Sequence, residues 1–221
     1  MKLFHLPFGI RKSNYTYSAY ITQDEYRNLM DYAREHHVKL ENFKRFSGDI
    51  NLIKELIDDI AIVAEDFPKI LTVRKSVVIR LDEHSPLEDF ATTDYHLISI
   101  NSKLFNDKLY LEEEYELLTR IGKFVKNTNY RSIIRHELGH VVANIYRLNP
   151  LMIARSIFPD KTNEEILQFI KSTLSLYAAD YKDGREFISE YFSAYYSQAD
   201  VPFAAKYINK CKELAKEDSE L

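Results

Sequence analysis

The run His136-Glu137-Leu138-Gly139-His140 constrains this chain more than any other part of it. Around it Ile133, Ile134, Leu138, Val141, Val142 and Ile145 recur at helical spacing, so residues 130–147 read as a buried amphipathic helix. Side chains four apart stand one above the other on a helix. His136 and His140 therefore share a face and can bind one metal ion together. Glu137 projects beside the pair, where a carboxylate can take a proton from an activated water. Gly139 weakens a helix interior, and its position predicts that another backbone comes close to this face. The competing reading is a helix with two half-exposed histidines and an ordinary surface glutamate. Catalytic zinc sites have three protein ligands and one open position, so a third ligand must come from elsewhere.

Glu186-Phe187-Ile188-Ser189-Glu190 supplies a candidate. Its two carboxylates also lie four apart, on one face of a later helix. If that helix packs beside the first, Glu186 can reach the metal. Glu190, one turn on, can accept a hydrogen bond from the other ring nitrogen of a ligand histidine, which fixes its tautomer. Phe187, Tyr191, Phe192 and Tyr195 would hold the two helices together. An ordinary surface pair of glutamates, mildly repelling, is the plain alternative.

The rest of the chain is mostly helical in pattern. Thr22-Gln23-Asp24-Glu25 has the form of a capping box and predicts a helix over 22–46. Gly48-Asp49 punctuates, residues 50–66 repeat Ile, Leu and Val at helical spacing, and Pro68 ends that run. Residues 73–81 are β-branched and alternating, which predicts a strand, and 95–100 predict a second. Residues 109–126 form a charged helix whose Glu112-Glu113-Glu114 suits a solvated face or an N-terminal turn. Asn149-Pro150 reads as a breaker. Thr162-Asn163-Glu164-Glu165 opens a helix carried over 166–179, and Asp183-Gly184 is a turn. Residues 185–197 and 202–216 are two further helices. Helices, a small sheet, then helices is an α+β order, predominantly helical, with a small mixed sheet expected next to the pentad helix.

Composition excludes several classes. A net charge of −4 with no basic stripe argues against nucleic acid as a partner. No stretch reaches the roughly eighteen apolar residues of a membrane span. The single cysteine, Cys211, forms no intrachain disulfide and suits a reducing compartment. The first twenty residues carry Arg11 and Lys12 and no apolar core of a leader. As written the chain is expected to be cytoplasmic and monomeric, with secretion by another route left open.

The pentad followed by Glu186-Phe187-Ile188-Ser189-Glu190-Tyr191-Phe192 resembles the gluzincin zinc metallopeptidases. More narrowly it is similar to the catalytic domain of anthrax lethal factor and to the clostridial Pro-Pro endopeptidases, which carry a comparable glutamate motif long after the pentad. Here Glu186 lies 46 positions after His140. The resemblance implies one Zn²⁺ held by His136, His140 and Glu186, with Glu190 behind a ligand histidine and Glu137 as general base. It implies hydrolysis of a protein or peptide by a zincin-like catalytic domain over 71–221, with a helical region over 1–70 packed on it. The family has a tyrosine seven residues before its glutamate ligand. That position is Ala179 here, with Tyr177 and Tyr181 two residues to either side, and Tyr181 is expected to take the role of polarising the scissile carbonyl. A substrate strand is expected to lie antiparallel along the edge of 96–100, beside His96, Ile98 and Ile100. Two other readings stay open: a catalytically silent gluzincin-like module acting in protein–protein interaction or regulation, which Ala179 favours, and a helical interaction protein without metal.

Overall fold

The computed structural model describes residues 20–72, 76–179, 181 and 184–220. Thr22 caps the first helix, α1 (Gln23–Glu35), in the reciprocal arrangement its sequence predicts: its hydroxyl accepts from Glu25 N–H, and Glu25 accepts from Thr22 N–H. The helix stops eleven residues short of the expected end. His37 turns left-handed at φ 57°, and the chain enters a strand, β1 (Lys39–Glu41). Pairing with the sheet has overridden helix propensity there. Asp49 then caps α2 (Ile50–Asp66), whose Leu52, Ile53, Leu56, Ile57, Ile60 and Val63 are fully buried. Pro68 opens a short 3₁₀ turn, Pro68–Leu71.

Three more strands follow: β2 (Val78–Asp82), β3 (Ala91–Asp94) and β4 (Leu97–Asn101). Residues 73–75, the start of the expected first strand, lie outside the described residues. The sheet order is β1-β2-β4-β3. β1 and β4 run parallel to β2, whereas β3 turns back antiparallel on β4 through Tyr95 at φ 55°. This is the small mixed sheet expected, with one correction to its edge. β4 is hydrogen-bonded on both sides, Ile98 and Ile100 are fully buried, and His96 sits in the turn before the strand. The substrate edge assigned to His96, Ile98 and Ile100 is therefore interior. Two buried isoleucines fit a central strand, whereas the alternately exposed Ala91-Thr92-Thr93-Asp94 is polar enough to stand at the edge.

The second half is helical. Asn101 caps α3 (Ser102–Phe105), and Asp107 caps α4 (Lys108–Arg120), which Gly122 terminates at φ 75°. The pentad helix is α5 (Ser132–Ile145). Asn149-Pro150, read as a breaker, instead opens α6 (Pro150–Ile157), with Asn149 accepting from Met152 N–H and proline at the first helical position. A second capping box at Thr162 starts α7 (Asn163–Thr173), which ends before a separate 3₁₀ turn, Tyr177–Ala179. Gly184 at φ 70° leads into α8 (Arg185–Tyr196), and α9 (Ala204–Glu220) closes the chain. Asp183 of the expected turn and residues 1–19 of the N-terminal region lie outside the described residues.

One hydrophobic core runs from Leu29 on α1 to Ala215 on α9. The segment before residue 70 shares it through α2 and shares the sheet through β1. No helix among the described residues is long and apolar enough to cross a membrane.

Candidate metal centre

Two i, i+4 pairs on two packed helices build the site. α5 presents His136 and His140, and α8 presents Glu186 and Glu190. What lets them meet is Gly139. A Cβ built there would lie 2.6 Å from Ser189 Cα and 3.1 Å from Ile188 O, well inside van der Waals contact. The close backbone approach predicted for this glycine is thus made by α8 itself.

At this separation the four side chains interlock. Glu186 Oε2 lies 3.2 Å from His136 Nε2 and 3.2 Å from His140 Nε2. The three ligand atoms all fall within 4.8 Å of one another. On the far side of the first ring, His136 Nδ1 meets Glu190 Oε1 at 2.7 Å. That bond turns the imidazole so that Nε2 faces Glu186 and His140. Glu186 and Glu190 are 4 % and 2 % exposed, so their charges are held away from water and demand a positive partner.

The electrostatics show the same demand. Burial by itself would raise the Glu186 carboxyl, yet the two imidazoles hold it down at about 2. Burial opposes charging of His136, and Glu186 and Glu190 overcome it, raising its pKa well above the ordinary value. Despite the short distances, Glu186 Oε2 makes no well-angled hydrogen bond among the described residues. Two imidazole nitrogens and one carboxylate oxygen therefore converge on a common point with an orphaned lone pair among them. These three residues can hold a metal ion.

Glu137 is 7 % exposed and accepts a 2.5 Å hydrogen bond at Oε2 from Thr93 Oγ1, on the edge strand β3. Nothing in the sequence singled out Thr93, because a threonine in a four-residue polar strand carries no motif. The phenol at the site is also corrected. Tyr177, rather than Tyr181, packs its ring 5.6 Å from that of His136. Tyr177 is pinned there by the 3₁₀ turn: Leu176 N–H and Tyr177 N–H bond the carbonyls of Gly122 and Lys123, just beyond α4. Tyr181 instead lies with its ring 4.8 Å from the Arg185 guanidinium. Burial, then the charges of Glu186 and Glu137, push the Tyr177 pKa up, so it stays a neutral donor. His96 packs on Tyr95 in the β3–β4 turn, its buried Nδ1 without a hydrogen-bond partner among the described residues. Beside His136 and Glu137 opens a cavity of about 100 Å³, room for several waters or one side chain.

No protein-family model, curated protein or solved structure matches this chain.

Proposed function

We propose that the chain is a zinc-dependent endopeptidase. The observation that carries this reading is the convergence of His136 Nε2, His140 Nε2 and Glu186 Oε2 on the helix face that also bears Glu137. Two nitrogens and one oxygen form a donor set that zinc takes in hydrolytic sites. Zinc held by these three residues supplies Lewis acidity, polarising the scissile carbonyl and making water more acidic.

The chain's own groups do the rest. Glu137 takes a proton from the attacking water, whose oxygen adds to the carbonyl carbon. It returns that proton to the amine as the C–N bond breaks. Thr93 holds one oxygen of the Glu137 carboxylate, leaving the other for the transfer. Glu190 orients His136. The neutral Tyr177 phenol donates to the oxygen on which negative charge develops. The outer edge of β3 pairs with no strand among the described residues. It suits an extended substrate bound antiparallel through backbone hydrogen bonds, a mode with little sequence preference of its own.

The test is zinc content and cleavage of a diverse peptide library, beside Glu137→Ala and His140→Ala. One zinc per chain with cleavage is expected from the unaltered chain, zinc without cleavage from Glu137→Ala, and neither from His140→Ala. Full cleavage by Glu137→Ala would refute the mechanism. Zinc bound by a chain that cleaves nothing would favour the silent binding module.

A further inference from the structure

The cavity beside His136 and Glu137 has a chemical character of its own. Its aromatic side is a connected set of rings. Phe90 meets Tyr115 and Phe124 edge-on at 6.2 and 5.9 Å, Tyr115 stacks on Phe124 at 5.3 Å, and Phe124 meets Tyr177 edge-on at 6.0 Å. All four rings line the space. The rings offer apolar surface to a methylene stem, and a cation that meets a ring face is attracted to it.

Its charged lining is unbalanced. Glu88, Asp89, Glu137 and Glu190 border the cavity, against the Lys123 ammonium and the His136 ring, which Glu190 already engages. Glu190 is the most telling. It is 2 % exposed, its Oε1 is occupied by His136, and its Oε2 has no hydrogen-bond donor among the described residues. A buried carboxylate oxygen without a donor is costly, and a partner that supplies one binds with the advantage. Asp89 feels the same excess from another side: burial and then the neighbouring Glu88 push its carboxyl up, with only Lys123 opposing.

We propose that this cavity receives the positively charged side chain, lysine or arginine, of the substrate residue flanking the cleaved bond. The proposal rests on the peptidase reading for the word substrate, and on the cavity alone for the chemistry. The assignment to a flanking residue follows from the lining, since His136 and Glu137 form part of the wall. The methylene stem packs between the rings, and the terminal cation reaches the unpaired Glu190 oxygen. Edge-strand pairing selects little by itself, so sequence preference is concentrated in this cavity.

Two measurements separate this proposal from the reading beneath it. The first compares cleavage by the zinc-loaded chain of peptides that carry lysine, arginine, norleucine or glutamate at the flanking position. Norleucine keeps the stem and lacks the charge. Lysine or arginine is expected to exceed norleucine in kcat/KM by at least about tenfold. The double variant Glu88→Gln/Asp89→Asn is expected to shrink that ratio. Norleucine cleaved as well as lysine would overturn the proposal.

The second measurement needs no turnover. n-Butylammonium and 1-butanol are titrated into the full chain, following NMR shifts of Phe90, Phe124 and Tyr177. Saturable shifts from the amine alone, weakened in the double variant, support the cavity assignment whether or not any peptide is cut. Equal response to both probes, or none to either, overturns it. Amine binding without peptide cleavage under any condition would retain the cation site and count against the peptidase reading.

Discussion

Thr93 and Glu137 stand 44 positions apart and meet at 2.5 Å. A hydroxyl given to an ionised carboxylate makes a charge-assisted bond, stronger than its neutral counterpart. Loss of it leaves the Glu137 carboxylate free to rotate away from the reacting atoms. Under the proposed peptidase reading, Thr93→Val is expected to lower kcat by about ten- to a hundredfold, in line with about 1.5–3 kcal/mol for such bonds, while zinc content stays at the level of the unaltered chain. Thr93→Ser should restore most of the rate, which a merely structural role for the side chain would not require. A Thr93→Val variant with unaltered kcat would remove Thr93 from the proposed site. The contrast between these two residues explains what was readable. His136, Glu137 and His140 announce themselves because their spacing is a property of one helix. Thr93 joins them only through the β3–α5 contact, which no local pattern encodes.

At the scale of elements, α5 is held from two sides. On one it lies against α8 at Gly139. A methyl there has backbone, rather than a flexible side chain, in its way, so the helices must move apart. Gly139→Ala is expected to cost about 1–3 kcal/mol of stability and to weaken zinc binding, because Glu186 recedes with α8. Thermal unfolding and a zinc titration read the two effects; an alanine variant of unaltered stability would contradict the packing. On the other side, Asp59 of α2, 1 % exposed, accepts from Arg131 at 2.8 Å and from Arg135 at 2.7 Å. Removal of one partner from such a group leaves buried charge uncompensated. Asp59→Ala should lower the unfolding free energy by about 3–5 kcal/mol in urea, whereas a loss under 1 kcal/mol would mean that water already serves the arginines. The starts of α1 and α7 were legible, since their capping boxes, at Thr22 and Thr162, act within four residues, whereas Asn149-Pro150, which reads as a breaker, starts α6. The ends of α1 and α7 were not. α1 yields to β1 and its pairing with β2, and α7 yields to the bonds from Leu176 and Tyr177 to Gly122 and Lys123. Both partners are remote in sequence.

Across the whole molecule, buried phenols and the lone thiol set an alkaline limit. Burial pushes the Cys211 thiol from 9.0 up to about 12, and pushes Tyr115, Tyr191 and Tyr207 well above their ordinary 10.0. Asp58, by accepting its hydrogen bond, raises Tyr32 to about 12. In the unfolded chain these groups lose protons near pH 9 and 10; in the folded chain they keep them. Below pH 9 both states are protonated and stability does not depend on them. Above it the unfolded state binds fewer protons, so stability falls as pH rises, by about 1.4 kcal/mol per unit for each buried group and by less for Tyr32, which solvent screens. The urea midpoint should therefore drop steeply between pH 9 and 11, and Cys211→Ala should flatten the part between 9 and 10. A midpoint constant to pH 11 would mean that these groups are not protected.

What the sequence determined by itself is whatever a single turn of backbone can express. That covers the two imidazoles on one face of α5, the matching carboxylate spacing on α8, the capped starts of α1 and α7 and the need for a close neighbour at Gly139. The tertiary structure alone decided the rest. It placed β3 rather than β4 at the sheet edge, turned Tyr177 rather than Tyr181 towards His136, and enclosed a cavity between four rings and a carboxylate with one oxygen unpaired among the described residues. Helical spacing and capping depend on neighbours within about four residues, so they leave a periodic trace in the chain. Edge position, ring orientation and cavity lining arise from contacts between distant segments. Residues such as Thr93 and Phe90 look ordinary until the fold brings them to the site.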